Sequence, residues 1–269
     1  MLTATRRELL LDRLERDRRI VAKEIAAELG LSEDSIRRDL RELAAEGLLT
    51  RVYGGAVPAS PAVADYAART AISADSKGRV AAAAAALVQP GATVILDGGT
   101  TTLAVVEQLP RSLECTVVTH SPTIAVALLD HAAEVILIGG RLFKHSAVAS
   151  GSAAVEAANR INADLFLLGV TGIHPTAGLT TGDADEAAMK RVLVARAAET
   201  YALGSAEKVG AASAFQVLPL DAVTGLVLDA ESDATSLARL RETGVRIVEA
   251  SAGGGASAGA VAATGAAKR

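Results

Sequence analysis

A single glycine between two short amphipathic segments constrains this chain more than any other feature. Ala22 to Leu29 repeats its apolar positions, Ile25, Ala26 and Leu29, at the three-and-four spacing of one helix face. Gly30 closes that helix in the left-handed conformation that glycine adopts cheaply, and Leu31 anchors the turn into the core. Ser32 is placed to cap the next helix, and Glu33 and Asp34 suit its positive N-terminal end. That helix is expected from Glu33 to about Glu46. Ile36, Leu40 and Leu43 face inward, Ser35, Arg37, Arg38 and Arg41 lie toward the other sides, and Gly47 is the stop. Upstream, Thr5 can cap a first helix from Arg6 to about Arg19, with Leu9, Leu10 and Leu14 as its apolar stripe. Downstream, Leu48 to Val57 alternates around Gly54-Gly55 and reads as a β-hairpin wing.

Two short helices, a tight turn, an arginine-bearing helix and a hairpin together match a reader of the DNA major groove. Arg37 and Arg38 can reach phosphates or the O6/N7 edge of guanine, and Ser35 can contact either. Arg51 in the wing suits a phosphate or the minor groove. Lys23, Ser32 and Arg41 complete the candidate DNA-binding set. The bland alternative is a three-helix bundle with a solvated charged face. Bulk charge does not decide between them: the whole chain carries a net charge of -4, and residues 1–57 hold eleven basic and eleven acidic side chains. The placement of the arginines carries the reading.

Behind this N-terminal domain (residues 1–57) come a short stiff linker from Pro58 to Pro61, within a connection spanning 58–74, and a larger domain at 75–250. There, strand-like and helical segments alternate. Asp75 or Ser76 caps a helix that ends before Pro90. Strands are expected at Thr93–Leu96, Cys115–Val118, Val135–Ile138, Leu165–Leu168, Tyr201–Leu203, Gly225–Leu228 and Val245–Val248. Helices fall between them, the longest within Asp183–Ala198. Continuous apolar strands in such an order imply an α/β fold, with a mostly parallel sheet covered by helices on both faces. Ligands of such folds bind at the carboxyl ends of the strands. The Gly/Ala/Ser/Thr-rich tail at 251–269 is expected to be disordered.

The sharpest signal for a ligand is the loop Asp97-Gly98-Gly99-Thr100-Thr101-Thr102. Its glycines permit close backbone approach, its hydroxyls donate hydrogen bonds, and the following helix offers its N-terminus to an anion such as phosphate. The bland reading is a tight turn before a capped helix. Other segments end on the same strand edge: Gly139-Gly140-Arg141, Gly169 to Gly172, Gly178 to Thr181 with Thr180, and Lys208. Glu186 and Lys190 stand four apart on one helix, where a plain ion pair is the bland reading. Lys77, near a helix start, reads equally as a solvated charge.

The stretch KEIAAELGLSEDSIRRDLRELAAEGLLTRVYGGAV resembles the DNA-binding segment of the DeoR family of bacterial repressors. Further on, Arg69 with Lys77, DGGTTT, GGR, Gly151, Asp164 to Gly172, GLTT, Glu186 with Lys190-Arg191, and Lys208 with Gly210 resemble that family's sensor domain. The resemblance covers roughly residues 5–230. It implies a sensor similar in fold to ribose-5-phosphate isomerase and a recognition helix that enters the major groove of double-stranded operator DNA. It also implies a phosphorylated sugar that is sensed and not turned over, and a homodimer or larger assembly. The effector set would then be Asp97 through Thr102, His120, Arg141, Thr180, Glu186, Lys190 and Lys208. Three positions depart from the family pattern: His120 where Asn is usual, Ser205 where an Asp precedes the lysine, and Leu228-Asp229 where Thr-Asp is common. The change at Ser205 leaves Lys208 without an obvious acidic partner. His120 either meets the ligand or caps the helix behind Pro122.

The alternative from another class is a sugar-phosphate isomerase carrying a DNA-binding module. It needs a carboxylate base, for which Asp97, Asp183, Asp185 and Glu186 are chemically suited, but none lies in a catalytic motif and no catalytic residue is assigned. Cys115 is the only cysteine, so disulfides within the chain and thiolate-rich metal sites are excluded, and no cofactor is expected. No apolar run reaches the length of a membrane span and no signal peptide is evident, so a cytoplasmic protein is expected.

Overall fold

In the computed structural model, which describes residues 2–252 and 257–258, Gly30 has φ 63° and its N–H returns to the preceding turn. It joins α2 (Ala22–Leu29) to α3 (Glu33–Ala45), and the Ser32 hydroxyl accepts from Ser35 N–H at 3.3 Å at the start of the latter. Before them lie α1 (Thr3–Asp17) and β1 (Ile20–Val21); after them, β2 (Leu49–Val52) and β3 (Gly55–Pro58) form the wing. These strands make one antiparallel sheet in the order β1-β3-β2. Leu10, Leu14, Ile25, Ile36, Leu40, Leu43 and Leu49 fill the core, each contributing about 1.5–3 kcal/mol by burial. The first helix differs from expectation. It starts at Thr3, so Thr5 lies inside it and caps nothing, and it stops when Arg18 turns left-handed at φ 55°. Asp39, buried on α3, takes both oxygens to the Arg6 guanidinium and ties α1 to α3.

The connection is structured: a 3-10 turn at Pro61–Val63 leads to α4 (Tyr66–Ala71). The larger unit then runs α5 (Ala74–Ala85), β4 (Thr93–Leu96), α6 (Thr100–Gln108), β5 (Thr116–Thr119), α7 (Pro122–Ala127) and β6 (Glu134–Leu137). A hairpin β7 (Arg141–Phe143) and β8 (Val148–Ser150) follows, then α8 (Ser152–Ala158), β9 (Ala163–Gly169), β10 (Gly172–His174) and β11 (Gly178–Thr181). The remainder is α9 (Ala184–Val194), β12 (Ala197–Gly204), β13 (Phe215–Leu218), β14 (Gly225–Asp229), α10 (Ala234–Glu242), β15 (Ile247–Ala250) and β16 (Ser257–Ala258).

The main sheet has the order β16-β15-β14-β12-β9-β4-β5-β6, parallel except for β16. Alternate side chains along each strand feed two cores. Val94, Leu96, Leu167 and Leu203 pack under α5, α6 and α7. Ile95, Phe166, Leu168 and Leu228 pack under α8, α9 and α10. This is the expected doubly covered α/β sheet. The strand order reverses between β4 and β9, the point at which a sheet of this kind places its ligand site, at the carboxyl ends of the strands.

One local expectation is revised. Ser73, at φ 50°, precedes α5, and neither Asp75 nor Ser76 caps it. The helix expected within Asp183–Ala198 runs from Ala184 to Val194, and Ala197-Ala198 open the eight-residue β12, paired to β9 and β14. The hairpin β7–β8 and a small antiparallel sheet, β10-β11-β13, were not anticipated. Most of the tail expected to be disordered lies outside the described residues. No described helix is long and apolar enough to cross a membrane.

Candidate functional site

The loop after β4 and the residues after β9 meet at the reversal of strand order and are packed tightly together. A Cβ on Gly169 would stand 2.9 Å from Gly98 O, so only glycine fits there. Beneath the loop, Asp97 is wholly buried and fully occupied. Its Oδ1 accepts from Gly98 N–H at 2.8 Å and lies 2.8 Å from His120 Nε2. Its Oδ2 accepts from Gly169 N–H at 2.9 Å and from Lys190 Nζ at 2.6 Å. Burial alone would raise the Asp97 carboxyl, but Lys190 and His120 overcome this and hold it at about 2. Lys190, also buried, reaches Glu186 at 3.1 Å, and the two carboxylates raise its pKa against the effect of burial.

Above this pedestal is a narrow cavity lined by Gly98 to Thr102, Thr171, Lys190 and Lys208. It continues into a second, roomier lobe bordered by His145, Ser146, Asp183 and Glu186. Ala62, Arg69, Thr171 and Glu186 line both lobes. The first lobe is rich in cations that lack strong acidic partners. Lys208 Nζ donates to Thr101 Oγ1 at 2.7 Å and makes no ion pair among the described residues. Burial pushes its ammonium from 10.5 down to about 8; Glu207 resists the shift, and Lys77, Arg69 and Lys190 add to it. Lys77 donates to Arg69 O and is likewise lowered by burial, as is Arg69 itself. The Arg69 Nε is buried and finds no hydrogen-bond partner among the described residues. Such a cluster, beside the N-terminus of α6, suits an anion.

The connection roofs this cavity. Ser60 Oγ donates to Thr171 O and accepts from Ala62 N–H, while α4 brings Arg69 over both lobes. The wing is tied to the same neighbourhood: Thr50 Oγ1 donates to Ala212 O at 2.9 Å, and Ala212 N–H donates to Pro58 O at 3.3 Å. Ala212 lies four residues after Lys208 in the chain.

The sequence-predicted effector residues divide accordingly. Gly98, Gly99, Thr100, Thr101, Thr102, Glu186, Lys190 and Lys208 line the cavity. Asp97 and His120 sit one layer behind it; His120, fully buried, also lies 3.0 Å from Ala149 O through Nδ1, so it neither caps α7 nor lines the cavity. Thr180 is buried in the small sheet, where its hydroxyl meets Gly172 O and Ser213 N–H. Arg141 is not brought to the cavity: it stands exposed on β7, 3.5 Å from Asp185, because the hairpin carries its side chain outward. Lys77 is buried, so the reading as a solvated charge does not hold. Arg69 entered only through family resemblance, Lys77 first as a charge near a helix start, and Glu207 was missed altogether. A lone acid beside Lys208 carries no local signal.

On the N-terminal unit, Lys23, Ser32, Arg37, Arg38, Arg41 and Arg51 are exposed, and Ser35 is half-buried. Arg37 pairs with Glu33 at 2.6 Å on the same helix. Lys23, Arg38, Arg41 and Arg51 make no ion pair among the described residues and remain available to an outside anion.

A family model for the DeoR C terminal sensor domain matches residues 72–230, and one for the DeoR-like helix-turn-helix domain matches residues 6–62. The HTH-type transcriptional regulator GlpR of Haloferax volcanii is 33% identical over 247 residues, which cover 87% of this chain and 97% of that protein. The putative aga operon transcriptional repressor of Escherichia coli O157:H7 is 30% identical over 91% of this chain and 93% of its own length. Among solved structures, ribose 5-phosphate isomerase A from Methanocaldococcus jannaschii matches 50% of this chain and 54% of its own, with 16% identity and a TM-score of 0.36.

Proposed function

The chain belongs to the DeoR family and is a DNA-binding transcriptional regulator, and from that premise we propose that it is a repressor released from its operator by a phosphorylated sugar. The observation that carries this reading is Lys208, a buried cation with no ion pair among the described residues, pressed by Lys77 and Arg69 across one small lobe. A phosphate seated there would neutralise the cluster and accept from Thr100 to Thr102 at the start of α6. The sugar body would extend into the second lobe beneath the linker.

Sensing is favoured over turnover by the state of Asp97. An isomerase needs a carboxylate free to take a proton, whereas both oxygens of Asp97 are occupied, one of them by Lys190 at 2.6 Å, so Asp97 is not that base. Release would require the effector to favour an arrangement of subunits whose recognition helices no longer match the operator half-sites. Each chain supplies one such helix, so a homodimer or larger assembly is the reading that fits. Within the helix, Ser35, Arg37, Arg38 and Arg41 would face the major groove, with Lys23, Ser32 and Arg51 on flanking phosphates.

Calorimetry on the full chain with matched phosphorylated and unphosphorylated sugars tests the seat. Binding should require the phosphate and be lost in Lys208→Ala. Lys208 binds an anion in its charged form, so affinity should fall as pH rises through about 8, where the free protein loses that proton. Equal response to the unphosphorylated sugar, or to none of either kind, overturns the reading.

A further inference from the structure

Glu207 borders the same lobe as Lys77, Thr101 and Lys208, and its two carboxylate oxygens stand in different circumstances. Oε1 accepts from Ser205 Oγ at 2.8 Å. Oε2 is buried and has no hydrogen-bond partner among the described residues. Ser205 is itself fully buried and begins the 3-10 turn Ala206–Lys208, so the carboxylate is held from behind and not left to swing into solvent. An acceptor buried without a donor is costly. Here the neighbouring charges of Lys77 and Lys208 offset part of that cost, since Glu207 acts on both.

We propose that Glu207 is a specificity-determining residue whose Oε2 accepts a hydrogen bond from a hydroxyl of the effector close to its phosphate. This rests on the phosphate seat proposed above. An ionised carboxylate only accepts, and it repels phosphate oxygens, so the partner it lacks is a donor on the esterified part of the ligand. Glu207 thereby provides, two residues along, the acidic group that Ser205 does not. It sits where it can distinguish a hydroxylated ester from a bare phosphate. A site built to receive a hydroxyl discriminates strongly against a ligand without one, because its buried acceptor is then left unpaired.

The test is calorimetry on the full-length protein with inorganic phosphate, ethyl phosphate, glycerol 3-phosphate and a set of pentose and hexose monophosphates. In the wild type the tightest hydroxylated ester should exceed ethyl phosphate by about tenfold or more, the usual yield of a hydrogen bond to a charged group. Glu207→Ala should collapse that ratio, and Glu207→Gln, which keeps the shape, should reduce it, while ethyl phosphate still binds. Circular dichroism confirms the fold of each. An unchanged ratio in both variants, or parallel loss of ethyl phosphate and hydroxylated esters, overturns the role of Glu207 and leaves the seat intact. Failure of the wild type to bind any phosphate overturns the seat and this inference together.

Discussion

Lys190 Nζ stands 2.6 Å from Asp97 Oδ2, and neither side chain has meaningful contact with solvent. The pair joins the middle of α9 to the end of β4, across 93 residues of sequence. Viewed along the chain, Lys190 has a simpler partner in Glu186, one helical turn away. In the fold it is shared between the two carboxylates, and this shared ammonium fixes the floor of the cavity.

Removing one member should therefore be expensive. Asp97→Asn leaves Lys190 with a single acidic partner in a desolvated site, and the loss of stability should be about 3–5 kcal/mol, the range for breaking a buried ion pair. Urea unfolding monitored by circular dichroism measures it. A change below about 1 kcal/mol would show that the pair is dispensable, as surface pairs usually are.

On the DNA-binding unit, Arg38→Ala should weaken operator binding by about 1–3 kcal/mol and relax the sequence preference, while the melting temperature stays within a degree or two. Arg37→Ala should cost less, because Arg37 must first leave Glu33. Selection from random DNA, followed by anisotropy on the selected site, reads both. An Arg38→Ala protein that selects the same sequence with the same affinity would remove α3 from the role of reader.

The linker offers a third check. Ser60 links the wing side of the molecule to Thr171, a residue lining both lobes. Ser60→Ala should leave effector affinity within about threefold but lower the coupling between effector and DNA, which is typically 1–3 kcal/mol. The measurement is the effector concentration that half-releases labelled operator, set against the calorimetric Kd of the same variant. If the two move together, the Ser60 contact transmits nothing.

The parts that were legible in the sequence are those whose cause is local. Gly30 and Ser32 announce a turn and a cap through their own conformational preferences, and the structure places both accordingly. The strand, glycine loop and helix at Thr93–Gln108 follow from apolar run, glycines and hydroxyls within sixteen residues. The misjudged positions have distant causes. Pairing with β9 carries β12 back to Ala197, well before the Tyr201–Leu203 strand that the apolar run announces. Arg141 follows a glycine pair much as a ligand residue would, yet the β7–β8 hairpin carries it to the surface.

The amino-acid order alone therefore settled the winged helix-turn-helix, the α/β alternation and the loop most suited to an anion, because each depends on contacts a few residues apart. It left open which charges share a cavity. Arg69, Lys77, Lys190 and the adjacent pair Glu207 and Lys208 come from four separate elements and acquire their character together: burial removes water from them, and only then do their mutual distances govern which are neutralised and which await a partner. Desolvation and long-range proximity are properties of the packed molecule. No periodicity or spacing in the chain encodes them.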